Sequence, residues 1–163
     1  MDQKQKVYQF LNSKEISFQV IDHPAVFTID EMEQLTEIEN KKDVVKNLFL
    51  RDGKGKRHFL VVMCHNKKAD LKEIRSQLGC SSLSFASEDS LHKCLKLTKG
   101  AVTPMGILND EACHVEVVFD EDLQEKKRMG IHPNDNSATI MISFSDLYRV
   151  ILDHGNQVFF IKI

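Results

Sequence analysis

Apolar residues recur along this chain at two periods, one helical and one alternating. Between Gln3 and Asn12, Val7, Phe10 and Leu11 share one side of a predicted helix. Ile16-Ser17-Phe18-Gln19-Val20-Ile21 alternates as a strand does. His23-Pro24 ends it, because proline restricts the residue before it and has no N–H to donate. Thr28 and Glu31 have capping-box spacing, and Met32, Leu35 and Ile38 behind them predict a short second helix. Asn47 to Arg51 and His58 to Cys64 are apolar runs joined by Asp52-Gly53-Lys54-Gly55-Lys56, which predicts a hairpin.

Helical spacing returns from Lys68 to Leu78, where Leu71, Ile74 and Leu78 form one stripe that Gly79 stops. Ser87, followed by Glu88 and Asp89, opens a further helix through Leu95. Beyond Gly100 the pattern changes to loops and strands: the Gly100 to Gly106 loop, Ile107-Leu108, and His114 to Phe119. A second turn-rich loop, Gly130 to Asn136, precedes the strand Ala138 to Ile142. Ser143 with Asp146 caps a last helix through Leu152, Gly155 ends it, and Val158 to Ile163 reads as a strand. No repeat or low-complexity linker divides the chain. The order predicts a mixed α/β (α+β) fold whose hairpins favour a largely antiparallel or mixed sheet over a doubly wound parallel one.

A chain of 163 residues fits one domain, and 42% apolar with 28% charged residues is the balance of an ordinary globular protein. The polar start and the lack of a long apolar run predict a cytoplasmic protein with no membrane partner. Cys64, Cys80, Cys94 and Cys113 are spread one per segment, and the histidines at 58, 65, 92, 114 and 154 form no metal motif, so no metal site is expected. The formal charge of -2 hides an uneven distribution. Lys41 to Arg75 holds eleven Lys and Arg against four acids, whereas Asn109 to Glu125 holds seven acids and no Lys or Arg. A basic face of this kind either keeps the protein solvated or meets RNA phosphates.

No P-loop, dinucleotide fingerprint, HExxH or G-x-S-x-G elbow is present. What remains is Lys46 at the mouth of a strand, His132-Pro133 in a turn-rich loop, and the glycine-bearing loop Gly100 to Gly106. Lys46 is either a solvated amine or a charge for a phosphate or oxyanion. His132 is either a turn residue or a proton-exchanging imidazole. The glycines either make a turn or let backbone N–H groups approach a substrate carbonyl.

Lys46-Asn47-Leu48-Phe49-Leu50-Arg51-Asp52 resembles the bacterial prolyl-tRNA editing domain family, the YbaK/ProX family, and most of all its free-standing Ala-tRNA(Pro) deacylases. The resemblance runs in order through His23-Pro24-Ala25-Val26-Phe27-Thr28, Asp70-Leu71-Lys72, Leu83-Ser84-Phe85-Ala86, Gly100-Ala101-Val102-Thr103-Pro104, Leu108-Asn109-Asp110 and His132-Pro133-Asn134. It implies that residues 1–163 form a single editing domain, with a barrel-like mixed sheet surrounded by helices and a pocket for the aminoacyl group on the terminal adenosine.

Lys46 matches the family's active-site lysine, Gly100 and Pro104 its GxxxP loop, and His132 its His-Pro loop. The resemblance thus implies Lys46, Gly100 and His132 as the catalytic set, with the substrate's own 2'-OH orienting or activating water. Val26, Phe27, Leu48 and Ile131 are expected in the pocket wall, with Thr28, Thr103, Pro104, Pro133 and Asn134 as further substrate contacts. Lys41, Lys42, Lys56, Arg57, Lys67 and Lys68 are expected on acceptor-stem phosphates. Mischarged tRNA(Pro) and, transiently, prolyl-tRNA synthetase are the implied partners, with no DNA, no metal and no organic cofactor.

Overall fold

Among residues 2–163, which the computed structural model describes, each of five α-helices begins on a side-chain cap. The caps are Asp2 for α1 (Gln3–Ser13), Thr28 for α2 (Ile29–Glu33), Asp70 for α3 (Leu71–Leu78), Ser87 for α4 (Glu88–Leu95) and Ser143 for α5 (Phe144–His154). Each side-chain oxygen accepts from an amide that the helix leaves unpaired. Gly79 and Gly155, both left-handed, close α3 and α5. Two helix boundaries differ from the sequence pattern by more than two residues. Asp70 accepts from the Lys72 and Glu73 amides, so α3 starts at Leu71 and not at Lys68. The second helix stops at Glu33, and Leu35 and Ile38 are buried from irregular chain in a small core with Val26, Met32 and Val44. No helix among the described residues is long and apolar enough to cross a membrane.

The strands are β1 (Gln19–Asp22), β2 (Lys46–Asp52), β3 (His58–Met63), β4 (Leu83–Phe85), β5 (Glu116–Asp120), β6 (Met129–Ile131), β7 (Ala138–Ile142) and β8 (Val158–Ile161). They form a mixed α+β fold, but the expected barrel is not there. One antiparallel sheet has the order β1-β7-β6, and a separate mixed sheet has the order β4-β2-β3-β5-β8, with β3-β5 and β5-β8 parallel. A single bridge between Val44 and Gly130 joins them. Closure fails for a local reason. The short β4 pairs only with Leu50 to Asp52, and after the Ala86 N–H reaches Phe49 O the chain turns into α4. The flank of β2 from Lys46 to Leu48 therefore has no strand beside it.

Every residue of β3 is buried, as a strand covered on both faces requires. Leu60 and Val62 join Phe49, Val117 and Phe119 in the main core with α1, α4 and α5, while Phe59 and Val61 face Ile74 of α3 from the other side. Phe119 packs edge-on against Phe144, with ring centroids 5.0 Å apart, and Phe144 stacks on Tyr148.

At the end of β5, the fully buried carboxylate of Asp120 accepts from Lys67 Nζ at 3.0 Å and from the Asp122 and Cys64 amides at 3.1 and 3.2 Å. Burial opposes its ionisation, but the Lys67 ammonium and the two amides outweigh burial and hold the carboxyl below the ordinary aspartate range. A carboxyl depressed on folding stabilises the native state above its unfolded pKa, and that contribution disappears as pH falls through the folded value. Urea unfolding is expected to show stability declining below about pH 4. Asp120→Asn should cost about 1.5–3 kcal/mol at pH 7 and flatten this acid dependence. An undiminished slope in the variant would assign the acid sensitivity to other carboxyls.

Candidate active site

The open flank of β2 faces the β6–β7 sheet across a cleft with a cavity volume of about 240 Å³, lined by residues from five stretches of chain. Lys46 and Asn47 come from the start of β2, and Val44 and Val45 from just before it. Ile131 ends β6, His132 follows it, and Thr139 lies on β7. The segment Val26 to Ile29, with Met32, covers one side, and Gly100 with Val102 another.

Hydrogen bonds hold these pieces in place. His23 N–H reaches Ser137 O at 3.1 Å, Val26 N–H reaches Asn136 O at 3.2 Å, and Asn136 Nδ2 donates back to Val26 O at 2.8 Å. The Val26–Phe27 segment is thereby clipped to the loop before β7. Gly100 has φ +91°, a conformation that disfavours side chains, and a Cβ there would lie 2.9 Å from Phe27 Cδ1. A glycine is what lets the loop pass beneath Phe27. Ala101 N–H is already donated to Thr98 O, so that amide is not free for a substrate.

His132 Nδ1 lies 2.8 Å from Ala138 O. A carbonyl only accepts, so Nδ1 carries the proton and Nε2 holds the lone pair of the neutral ring. Burial pushes the imidazole below the ordinary histidine range, nearby His23 adds to this, and the Ala138 carbonyl only partly offsets them. His132 is therefore neutral at pH 7. His23 repeats the arrangement: Nδ1 donates to Pro24 O at 2.9 Å, and Nε2 pairs with Thr139 Oγ1 at 2.8 Å. Lys46 Nζ donates to Lys67 O at 2.6 Å. The side chain of Lys67 is itself held by Asp120 and, at 2.6 Å, by Asp122, so the carbonyl that receives Lys46 sits on a pinned loop.

The cleft brings together Lys46, Gly100, His132, Val26, Phe27, Thr28 and Ile131 from the residues expected at the site. Thr28 also serves as the α2 cap. The others lie behind or beside it. Thr103 is fully buried and donates to His132 O at 2.6 Å, Pro104 is buried at the start of a 3-10 turn, and Asn134 donates to Met105 O at 3.4 Å behind the buried Pro133. Leu48 packs with the cluster under α3, on the opposite face of β2 from Phe49. Sequence reasoning missed Thr139, a hydroxyl within an apolar strand, and Asn47, whose buried Oδ1 has no hydrogen-bond partner among the described residues.

The six basic residues do not form one face. Lys41 and Lys42 precede β2 on the cleft side, and the exposed Lys68 lies at the same end of the β2–β3 hairpin. Lys56 and Arg57 lie at its other end, about 20 Å away along the strand. Arg57 is bidentate to Glu116 at 2.8 and 2.9 Å and lies over the Phe59 ring, and Lys67 is the pinned residue described above.

The fold is a mixed two-sheet one with a lysine, a glycine loop and a neutral histidine around one cleft. The family model described as "Aminoacyl-tRNA editing domain" matches residues 23–150, and the chain belongs to that family. It is 51% identical over 156 residues to "Prolyl-tRNA editing protein ProX" of Acetoanaerobium sticklandii, covering 96% of this chain and 94% of that protein. It is 36% identical over 154 residues to "Prolyl-tRNA synthetase associated domain-containing protein 1" of Danio rerio, covering 93% of this chain and 82% of that one. Its fold matches the crystal structure of a candidate trans-editing enzyme for prolyl tRNA synthetase with TM-score 0.72 at 21% identity, over 100% of this chain and 98% of that one.

Gly100 and Gly79 both have positive φ, but of the two only Gly100 has neighbours within 4 Å of the point a Cβ would occupy. Gly100→Ala is expected to cost more than Gly79→Ala, each by at least about 1 kcal/mol from backbone strain. Thermal unfolding of the two variants measures the difference, and equal losses would remove the Phe27 contact as the reason for glycine at position 100.

Proposed function

We propose that this protein acts in trans as an aminoacyl-tRNA deacylase, hydrolysing the ester between alanine and the terminal adenosine of mischarged tRNA(Pro). The reading rests on family membership together with one observation: Lys46, Gly100 and a neutral His132 line a single cleft with an apolar wall. The alanine methyl meets that wall, built from Val26, Val44, Val45 and Ile131. Such a second pocket is needed because a synthetase site made for proline rejects a smaller side chain by only about 1–3 kcal/mol.

Water adds to the ester carbonyl, the carbonyl oxygen becomes an oxyanion, and the carbon–oxygen bond to the ribose then breaks as that ribose oxygen takes a proton. The Gly100 loop lets backbone approach the developing oxyanion, and Lys46 supplies positive potential to it or to the terminal phosphate. His132 Nε2 and Asn47 Oδ1 are both acceptors and suit the substrate's α-ammonium. Holding that group fixes the ester relative to the loop, so that much of the barrier is met by orientation. Lys41, Lys42 and Lys68 are the basic residues at the cleft end of the hairpin and serve acceptor-stem phosphates. Contact with prolyl-tRNA synthetase is transient.

Single-turnover release of alanine from Ala-tRNA(Pro), run beside Cys-tRNA(Pro) and Pro-tRNA(Pro), tests the proposal. Alanine is expected to be released fastest and proline spared, with Lys46→Ala lowering the rate about 10²–10³-fold. Faster cysteine release would change the substrate, and tRNA binding with no turnover of any ester would make the protein a binding module.

A further inference from the structure

The far end of the β2–β3 hairpin carries a second group of reactive side chains. His58 opens β3 opposite Arg51, Cys94 lies on α4, and His114 lies just before β5. His58 Nδ1 and His114 Nε2 meet at 2.9 Å, and the ligand atoms of His58, Cys94 and His114 all lie within 4.8 Å of one another. We propose that these three side chains form a binding site for a transition-metal ion of the Zn²⁺ class.

The donor set decides the class of ion. Two imidazoles and a thiolate suit Zn²⁺ and similar borderline-soft ions, whereas Mg²⁺ and Ca²⁺ require oxygen ligands. The ligands also stand on a prepared frame. His58 is buried and stacked on Phe49 with centroids 5.5 Å apart. The buried Asp110 carboxylate accepts from His114 N–H at 3.1 Å, Val115 N–H at 2.8 Å and Asn156 Nδ2 at 2.9 Å, fixing the backbone that carries His114. Tetrahedral Zn–N bonds of about 2.0–2.1 Å put two nitrogens about 3.4 Å apart. The two nitrogens are therefore about 0.5 Å closer than the ion requires, and Cys94 Sγ, within 4.8 Å of both, closes to the roughly 3.6 Å that tetrahedral Zn–S and Zn–N bonds set.

Binding forms a metal–sulfur bond and releases the Cys94 thiol proton to solvent, while the hydrogen between the two rings shifts to the outer nitrogen of the ring that carries it. The fourth position opens into a cavity of about 600 Å³ whose wall carries Asp110 and Glu111 as well as the cations Arg51 and Lys93. The incoming thiolate and these acids offset the two cations. Positions 58, 94 and 114 have no metal-motif spacing, which is why the sequence pattern points to no metal. Parallel pairing of β3 with β5, which sets Phe59 opposite Glu116, brings the two histidines together.

Titrating the full chain with Co²⁺ under a phosphine reductant tests the site, with thiolate-to-cobalt charge-transfer absorption as the readout. The band is expected to saturate at one equivalent and to be displaced by Zn²⁺. Cys94→Ser should abolish it, and His114→Ala, at an exposed position, should weaken binding by more than the roughly 10- to 100-fold loss typical of an outer-shell change. No band in the wild type, or a band that survives Cys94→Ser, would overturn the proposal. The measurement involves no tRNA, so its failure and failure of the deacylase reading are separate results.

Discussion

The absence of a side chain at Gly130 governs how the two sheets meet. A Cβ at that position would lie 3.0 Å from Val44 Cγ2, 3.1 Å from Thr139 Cγ2 and 3.2 Å from Met141 Sδ. All three are tighter than ordinary contact in a packed interior. With hydrogen there instead, Val45 N–H reaches Gly130 O at 3.1 Å and the chain entering β2 lies against β6. Ile131 and His132 follow directly, and Lys46 follows Val45, so this one approach sets both walls of the cleft. The sheets touch there and diverge beyond it, and the divergence is the space that a closed barrel would have filled with strand.

Electrostatics within the fold changes the meaning of the charge count. The basic stretch carries β2 and β3, the acidic stretch carries β5, and β3 and β5 are neighbours. Arg57 thus meets Glu116, and Lys67 meets Asp120 and Asp122. Two of the six lysines and arginines that look like phosphate contacts are committed inside the molecule. Lys67 contributes to the cleft through its backbone: the buried Asp120 fixes its side chain, and its carbonyl then offers Lys46 a defined partner. Opposed runs of charge in a sequence can mark two strands that pair, as well as two faces that repel.

The helices were legible from local signals, side-chain caps for α2, α4 and α5 and apolar spacing for α1 and α3, and the β2–β3 hairpin because its turn lies between two apolar runs. The three-residue strands β4 and β6 were not, since alternation has no meaning over so short a span and both are made by their neighbours. Lys46, Gly100 and His132 were legible through family resemblance. Leu48 shows where that help stops, because adjacent residues of a strand face opposite ways and nothing local says which face meets the cleft. Thr139 and Asn47 carried only a weak signal, a polar side chain among apolar ones, and needed tertiary structure to become site residues.

The two histidines near the cleft bear on the kind of chemistry it can support. In a triad-type general base, a carboxylate accepts a hydrogen bond from Nδ1–H, without taking the proton, and stabilises the imidazolium formed when the ring accepts another. His132 and His23 donate instead to the carbonyls of Ala138 and Pro24, which bring no compensating charge. Burial then lowers the proton affinity of His132 further. A ring so placed is a fixed neutral acceptor, suited to orienting a group that already carries its proton and poorly suited to removing one from water. On the deacylase reading proposed above, the base for water attack is then to be sought outside these two rings, and the resemblance implies the substrate's own ribose hydroxyl for that part.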